Sequence, residues 1–203
     1  MPRITDVRER RGRVRVFVDD EFWAEVDAKT AAEHGLYVGA TLAEEELAEA
    51  RLAGERSSAM TRALNLLGYR ARSTGEIRAR LRRDEYGKET VAVVIARLAE
   101  LGYLDDEKYA RALAQEKARK YGPRRVYDAL RKDGLDEDTA WNIVEEEFAG
   151  RSEAGDALDA AARRYNEEEG SGAQARRVYG FLMRRGYSAD VCAEVARRYR
   201  GTA

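Results

Sequence analysis

The chain has 203 residues, of which 37 % are charged, and its formal net charge is −1. One cysteine and one histidine cannot form an internal disulfide or a His/Cys metal cage, so we expect no metal and no other cofactor. Because no run of about 18 apolar residues and no leader-like apolar stretch occurs, the sequence predicts a cytoplasmic protein that does not bind a membrane.

Residues 1–56 predict a small antiparallel β unit. Val14, Val16 and Val18 alternate with residues of the opposite face, which is the period of a strand with one buried side. Short polar or glycine-containing pairs between such segments favour hairpin turns. The predicted elements are strands at 4–9, 14–18 and 22–26, with turns at Arg11-Gly12 and Asp19-Asp20.

A helix is predicted to pack on this sheet, because so few strands are not stable alone. Thr41 and Glu44 have the spacing of a capping box, in which the hydroxyl and the carboxylate each satisfy a free backbone N–H. The sequence therefore predicts a helix that begins near residue 42.

Beyond residue 57 the chain contains an internal repeat. Three windows superpose without a gap: IRARLRRDEYGKETVAVVI from Ile77, VYDALRKDGLDEDTAWNIV from Val126, and VYGFLMRRGYSADVCAEVA from Val178. Apolar residues recur on one helix face on both sides of a turn. The aligned sets are Ile77, Val126 and Val178; Leu81, Leu130 and Leu182; Glu85, Gly134 and Gly186; and Val91, Ala140 and Cys192.

A further helical stretch precedes each window, so each repeat is predicted to hold three helices. Continuing the alignment upstream places Met60, Tyr109 and Ala161 at one apolar position of this first helix. The predicted organisation is a β unit with a helix at 1–56 and three-helix repeats at 57–104, 105–150 and 151–203. Because tandem repeats pack mainly against their neighbours, we expect an elongated monomer.

Charge is uneven along the repeats. Three basic blocks, 62–83, 108–132 and 170–203, alternate with two acidic ones. Solvated helix faces explain most single basic residues, but recurrence at one repeat position favours a shared binding role. Arg83, Lys132 and Arg184 coincide in this way. The candidate partner-binding residues are Arg78, Arg82, Arg83, Lys117, Lys120, Arg124, Arg125, Arg131, Lys132, Arg176, Arg177 and Arg184.

Arg124 and Arg125 support this interpretation in a second way. They fall in the first turn of a helix that begins at Pro123, where positive charge opposes the helix dipole by about 0.3–1 kcal/mol. We interpret this unfavourable placement as a sign that the two arginines contact a partner.

Other residues that invite a catalytic or ligand role have simpler interpretations. Cys192 aligns with apolar positions and is predicted to be buried, and His34 precedes a glycine at a helix end. Asp105-Asp106 and Asp136 fit helix N-caps better than metal or acid–base sites. Core packing is favoured over base stacking for four tyrosines, Tyr103, Tyr109, Tyr121 and Tyr127.

The segments ELGYLDDEKYAR and YGPRRVYDALRKDGLD closely resemble the core of RecX regulatory proteins. ITDVRERRGRVRVFVDDEF, followed by HGLYVGATLAEEEL, is similar to the leading segment of the longer members. The resemblance implies a curved array of three-helix repeats that binds the RecA–DNA filament. It also implies that such a protein lowers the ATPase and strand-exchange activity of RecA and so modulates recombination and the SOS response.

An enzyme is not expected, because the sequence has no Walker loop, GxSxG or HExxH motif. Two binding hypotheses are open, and a third possibility is an inert helical scaffold, which the recurring basic positions disfavour. One is a regulator that docks along the RecA filament, with weak and non-specific contacts to the phosphates of single- or double-stranded DNA. The alternative is a direct DNA-binding protein that uses its helix–turn–helix-like repeats.

Overall fold

The computed structural model describes residues 1–201, apart from the side chain of Glu169. Its strands are β1 Ile4–Arg10, β2 Arg13–Val18 and β3 Glu21–Asp27. Its helices in that part of the chain are α1 Ala28–Glu33, α2 Glu44–Tyr69, α3 Thr74–Arg83, α4 Lys88–Glu100, α5 Asp106–Ala118, α6 Pro123–Lys132, α7 Glu137–Phe148, α8 Glu153–Ala162, a short 3-10 helix Glu167–Glu169, α9 Gly172–Arg185 and α10 Ala189–Arg198. The predicted fold, mainly helical with an N-terminal antiparallel sheet, is confirmed.

The chain divides into two compact units, Met1–Leu104 and Asp105–Ala203. In the first unit, β1, β2 and β3 pair in that order, and both hairpins turn through residues with positive φ. The turn residues are Arg11, Gly12, Asp19 and Asp20, as the sequence predicts. Positive φ at both central residues matches the right-handed twist of the paired strands. The inner face of the sheet packs against α2, where a Cβ at Gly54 would overlap the side chain of Val26.

The start of α2 differs from the prediction. Ala43, not Thr41, is the N-cap, and its backbone N–H donates to the carboxylate of Glu46 at 2.7 Å. Thr41 instead lies in extended backbone and forms an isolated β-bridge with Arg3, which delays the helix by two residues. The helix then continues without a break for 26 residues. The expected boundary at 56/57 therefore falls inside α2, which packs on the sheet and also supplies the first helix of the first repeat.

The aligned apolar positions of the three windows form the repeat cores. Each of nine aligned residues in the second and third helices is at most 2 % exposed: Ile77, Val126, Val178, Leu81, Leu130, Leu182, Val91, Ala140 and Cys192. The equivalence that the spacing predicts in these two helices is confirmed. The second and third helices of each repeat therefore bury equivalent apolar residues in all three repeats.

The first helix of each repeat has a different register from the predicted one. Two alanines four residues apart are fully buried in each first helix: Ala59 and Ala63, Ala110 and Ala114, and Ala157 and Ala161. These pairs, rather than Met60, Tyr109 and Ala161, occupy equivalent positions. The gapless alignment fails here because the connections into the second helices differ in length, with a 3-10 helix inserted only before α9 in the described part.

The turn between the second and third helices has one backbone conformation in all three repeats. Glu85, Gly134 and Gly186 have φ of 66°, 94° and 85°. A polar contact ties the first helix to the region of this turn in every repeat. The contacts are Ser58 with Tyr86, Tyr109 with Asp133, and Tyr187 with the carbonyl of Asp156.

Candidate functional site

The recurring basic position lies at the end of the second helix in each repeat. Arg83, Lys132 and Arg184 occupy the last turns of α3, α6 and α9, and all three are exposed. Within the described residues, none of them forms an ion pair. A helix C-terminus carries partial negative charge, so a cation is favourable there by about 0.3–1 kcal/mol. An exposed positive side chain without an ion-pair partner among the described residues therefore recurs at the same position in all three repeats.

The residue that precedes the recurring basic position differs among the three repeats. Arg82 is exposed, Met183 is 37 % exposed, and Arg131 donates from Nη1 to the carbonyl of Leu135 at 2.6 Å. This bond closes the turn that follows α6. Arg131 therefore has a structural role in addition to its place in the basic block.

The remaining candidates lie on helix surfaces or in connecting loops. Arg78, Arg176 and Arg177 are exposed, whereas Lys117 is half-buried and pairs with Glu116 at 3.3 Å. Arg78, Arg82 and Arg83 belong to the first unit, and the other nine candidates belong to the second.

Within the second unit, the start of α6 contacts the end of α9. The backbone N–H of Gly122 donates to the carbonyl of Arg185 at 2.9 Å, and that of Arg124 donates to Gly186 at 3.1 Å. Arg185 also donates from Nη1 to the carbonyl of Lys120 at 2.7 Å. This joint between the second and third repeats brings together two chain segments that lie about 60 positions apart in the sequence, and both segments carry basic residues. These residues are Lys120, Arg124, Arg125, Arg184 and Arg185.

The joint changes the interpretation of Arg124 and Arg125. Because the carbonyl end of α9 faces the first turn of α6, its partial negative charge offsets the positive end of the α6 dipole. Positive side chains are therefore locally tolerated, and the dipole argument gives no independent support for a binding role. Arg185, which is not among the candidates, is half-buried and stacks over Phe181 at 4.8 Å, so it stabilises the joint.

Comparison with known proteins identifies the repeats. Residues 59–98 match the family model of the RecX first three-helix domain, and residues 105–140 match that of the second. The chain belongs to the RecX family. Its relatives include regulatory protein RecX of Lactobacillus gasseri, 33 % identical over 72 % of this chain and 54 % of the relative. Regulatory protein RecX of Bacillus subtilis is 33 % identical over 68 % of this chain and 54 % of the relative.

This RecX-family chain spans about half the length of the curated relatives it matches. A crystal structure of regulatory protein RecX has a TM-score of 0.68 at 22 % identity and covers 97 % of this chain and all of that one. RecX from Lactobacillus salivarius has a TM-score of 0.58 at 21 % identity, over 72 % of this chain and 97 % of that one. These two structures establish the fold.

Groups with alternative catalytic or redox interpretations have structural roles in this RecX-family chain. Cys192 is fully buried, and burial, with a smaller effect of Glu153, raises the pKa of its thiol to about 11. A thiol with so high a pKa is a poor nucleophile at neutral pH. Asp105 and Asp136 cap α5 and α7, and His34 ends α1, as predicted.

The tyrosine prediction is confirmed at three positions and wrong at one. Tyr109, Tyr121 and Tyr127 are half-buried against the core of the second repeat or its turn. Tyr103 is 56 % exposed, because the left-handed Gly102 ends α4 and turns the chain so that Leu104 enters the core instead.

No helix among residues 1–201 is long and apolar enough to cross a bilayer. Over the same residues, no three His, Cys, Asp or Glu side chains cluster as metal ligands.

A basic segment outside the candidates was missed. Residues 8–15 hold five arginines and one glutamate, whereas residues 1–56 as a whole carry net charge −4. The net charge of residues 1–56 taken together conceals this basic run. A window of eight residues would have revealed it.

Proposed function

We propose that the chain is a non-enzymatic regulator that binds the RecA–DNA filament and lowers RecA ATPase and strand exchange. The relatives are named regulatory proteins, which supports a regulatory role. The observation that carries the proposal is the exposed basic position repeated at Arg83, Lys132 and Arg184. We further propose that the chain acts in the cytoplasm as a monomer, without a cofactor.

Repetition gives the proposal its physical basis. A filament presents identical subunits and evenly spaced phosphates, so equivalent cations on successive repeats can meet equivalent groups on successive subunits. Charge of this kind chiefly steers association and adds modest energy per contact. Binding of this kind should therefore weaken as salt rises.

The alternative, sequence-specific reading of duplex DNA by the last helix of each repeat, has less support. A helix in the major groove uses Arg, Lys, Asn and Gln to contact bases. In the second repeat that helix is α7, which has five acidic residues and no lysine or arginine. Phosphates would repel such a helix.

A charge-reversal variant tests the proposal: Arg83→Glu, Lys132→Glu and Arg184→Glu together. The matched control reverses Arg97, Arg163 and Arg197, which are exposed and also lie at the ends of helices. Both variants lose the same kind of helix-dipole contact. The control also loses the exposed ion pair between Arg97 and Glu100, so it should be less stable than the first variant by up to about 1 kcal/mol. RecA ATPase on single-stranded DNA is measured against the concentration of each protein, at low and moderate salt.

The wild type and the control should inhibit the ATPase similarly. The first variant should need at least about tenfold more protein, which corresponds to ~0.5 kcal/mol at each position. Its remaining inhibition should depend less on salt. An ATPase unchanged by equimolar wild type would refute the proposal. A strong, sequence-dependent shift of short duplexes in a gel would favour the alternative.

A further inference from the structure

The solvent face of the N-terminal sheet has an unusual arrangement of arginines. The β1–β2 pairing places Arg8 directly opposite Arg15, and Arg10 directly opposite Arg13. Like charges opposite each other on neighbouring strands destabilise a sheet. The β2–β3 pairing places Asp27 opposite Arg13 and Glu25 opposite Arg15, so carboxylates offset part of this repulsion. The helices α1 and α2 pack on the other face of the sheet.

Two aromatic rings lie among these arginines. Phe17 and Phe22 are cross-strand neighbours on β2 and β3, with ring centroids 5.9 Å apart in an edge-to-face arrangement. The guanidinium of Arg8 lies 4.8 Å from the Phe17 centroid, and that of Arg15 lies 4.9 Å from the Phe22 centroid. Phe22 remains 52 % exposed. The guanidinium groups of Arg8 and Arg15 thus lie close to the two rings on the surface of the sheet.

Acidic residues neutralise only part of this charge. Arg8 pairs with Asp6 at 2.6 Å, and Arg13 pairs with Glu25 at 3.0 Å. In the described part of the chain, Arg10 and Arg15 form no ion pair. Two exposed guanidinium groups therefore remain available to anions beside an exposed aromatic ring.

We propose that this face, formed by Arg8, Arg10, Arg13, Arg15, Phe17 and Phe22, binds single-stranded nucleic acid. Unpaired bases stack on Phe22 and on the guanidinium planes, and backbone phosphates accept hydrogen bonds from Arg10 and Arg15. Paired bases cannot present their faces in this way, so a duplex is disfavoured. An acidic protein would satisfy the charge but would leave the exposed ring without a stacking partner. The inference does not depend on the proposed action on RecA.

Two variants of the full chain separate the parts of this site. Phe22→Ala removes the exposed ring, while Arg10→Gln with Arg15→Gln removes the two unpaired charges. Lys29→Gln is the control, because Lys29 lies in the same unit with its side chain 80 % exposed. Binding is measured by fluorescence anisotropy with a labelled oligothymidylate of about 15 nucleotides, near the upper site size of a single-strand binding module. Titrations cover a range of salt concentrations, and circular dichroism checks each fold.

Phe22→Ala should weaken binding by about tenfold, the typical loss when one stacking side chain is removed. The double arginine variant should reduce the slope of log affinity against log salt by about 1.4, since each phosphate contact to a single strand contributes about 0.7. In a Phe22→Trp variant, stacking should quench the fluorescence of the new tryptophan. The control should bind as the wild type does.

The inference is overturned if the wild type fails to bind the oligonucleotide at low salt. Equal affinity for a duplex of the same length would also overturn it, as would wild-type binding by both site variants. The assay contains no recombinase, so its failure leaves the charge-reversal test of the repeats unaffected. Loss of RecA inhibition in these variants with unchanged oligonucleotide binding would instead identify a protein-binding face and overturn the inference.

Discussion

Gly186→Ala should open the joint between the second and third repeats. Gly186 has φ of 85°, and an added Cβ would lie 2.5 Å from the Cβ and 2.9 Å from the Cα of Arg125. Its carbonyl accepts the backbone N–H of Arg124. The substitution therefore strains the backbone of one repeat and displaces the first turn of α6 in the other.

The two effects can be separated by a matched control, Gly150→Ala. Gly150 lies in the same unit with φ of 73°, but nothing lies within 4 Å of an added Cβ. Left-handed backbone costs a residue with a side chain about 1–2 kcal/mol, and the control should lose that amount. Overpacking against α6 adds about 1–3 kcal/mol. Gly186→Ala should therefore lose about 2–5 kcal/mol of the free energy of unfolding.

Urea unfolding of the full chain measures this difference. A Trp23→Phe background leaves Trp141 of α7 as the one tryptophan, so fluorescence follows the second unit. The displaced joint should also separate Arg124 and Arg125 from Arg184 and weaken RecA inhibition more than the control does. If the two glycine variants differ by less than about 0.5 kcal/mol, the contact with α6 has no energetic role and the joint as described is refuted.

Two further predictions concern the repeat turn and the buried thiol. Glu85 has φ of 66° at the position that glycine occupies in the other repeats, so Glu85→Gly should stabilise the first unit by about 0.5–1 kcal/mol in thermal unfolding. An unchanged or lower melting temperature would contradict this. Cys192, with a pKa of about 11 and no exposed surface, should resist alkylation at pH 8 until urea unfolds the second unit. Rapid labelling of the folded chain would show that the thiol is accessible.

The repeat could be predicted where local spacing determines burial. Ile77 and Leu81 are four residues apart on one helix face, and the turn that follows has nearly fixed length, so the same pattern recurs in register. The first helices could not be aligned in this way. Their buried pairs, such as Ala59 and Ala63, are joined to the second helices by connections whose length varies, and alanines give a weak periodic signal.

The exposure of the recurring basic residues could be predicted for the same reason. The contacts that other basic residues make with distant parts of the chain could not. Arg83 and Lys132 are exposed because they lie about 240° round the helix from the buried stripe, which geometry alone fixes. The contact of Arg124 with Gly186 joins residues 62 positions apart, and no local pattern specifies it. The pairing of Arg8 with Arg15 needs the hairpin register, which the turn at Gly12 determines.

The basic positions differ in how far folding alone explains them. Arg83, Lys132 and Arg184 lie in the last turns of helices, where the dipole favours cations, so stability by itself would keep positive charge there. Their recurrence therefore needs the charge-reversal test with a dipole-matched control. Arg8 opposite Arg15, and Arg10 opposite Arg13, oppose the stability of the sheet. Carboxylates of β3 opposite Arg13 and Arg15, together with the ring contacts of the arginines, offset part of this cost. The argument for a bound anion at the N-terminal sheet therefore rests on Arg10 and Arg15, which form no ion pair in the described part of the chain.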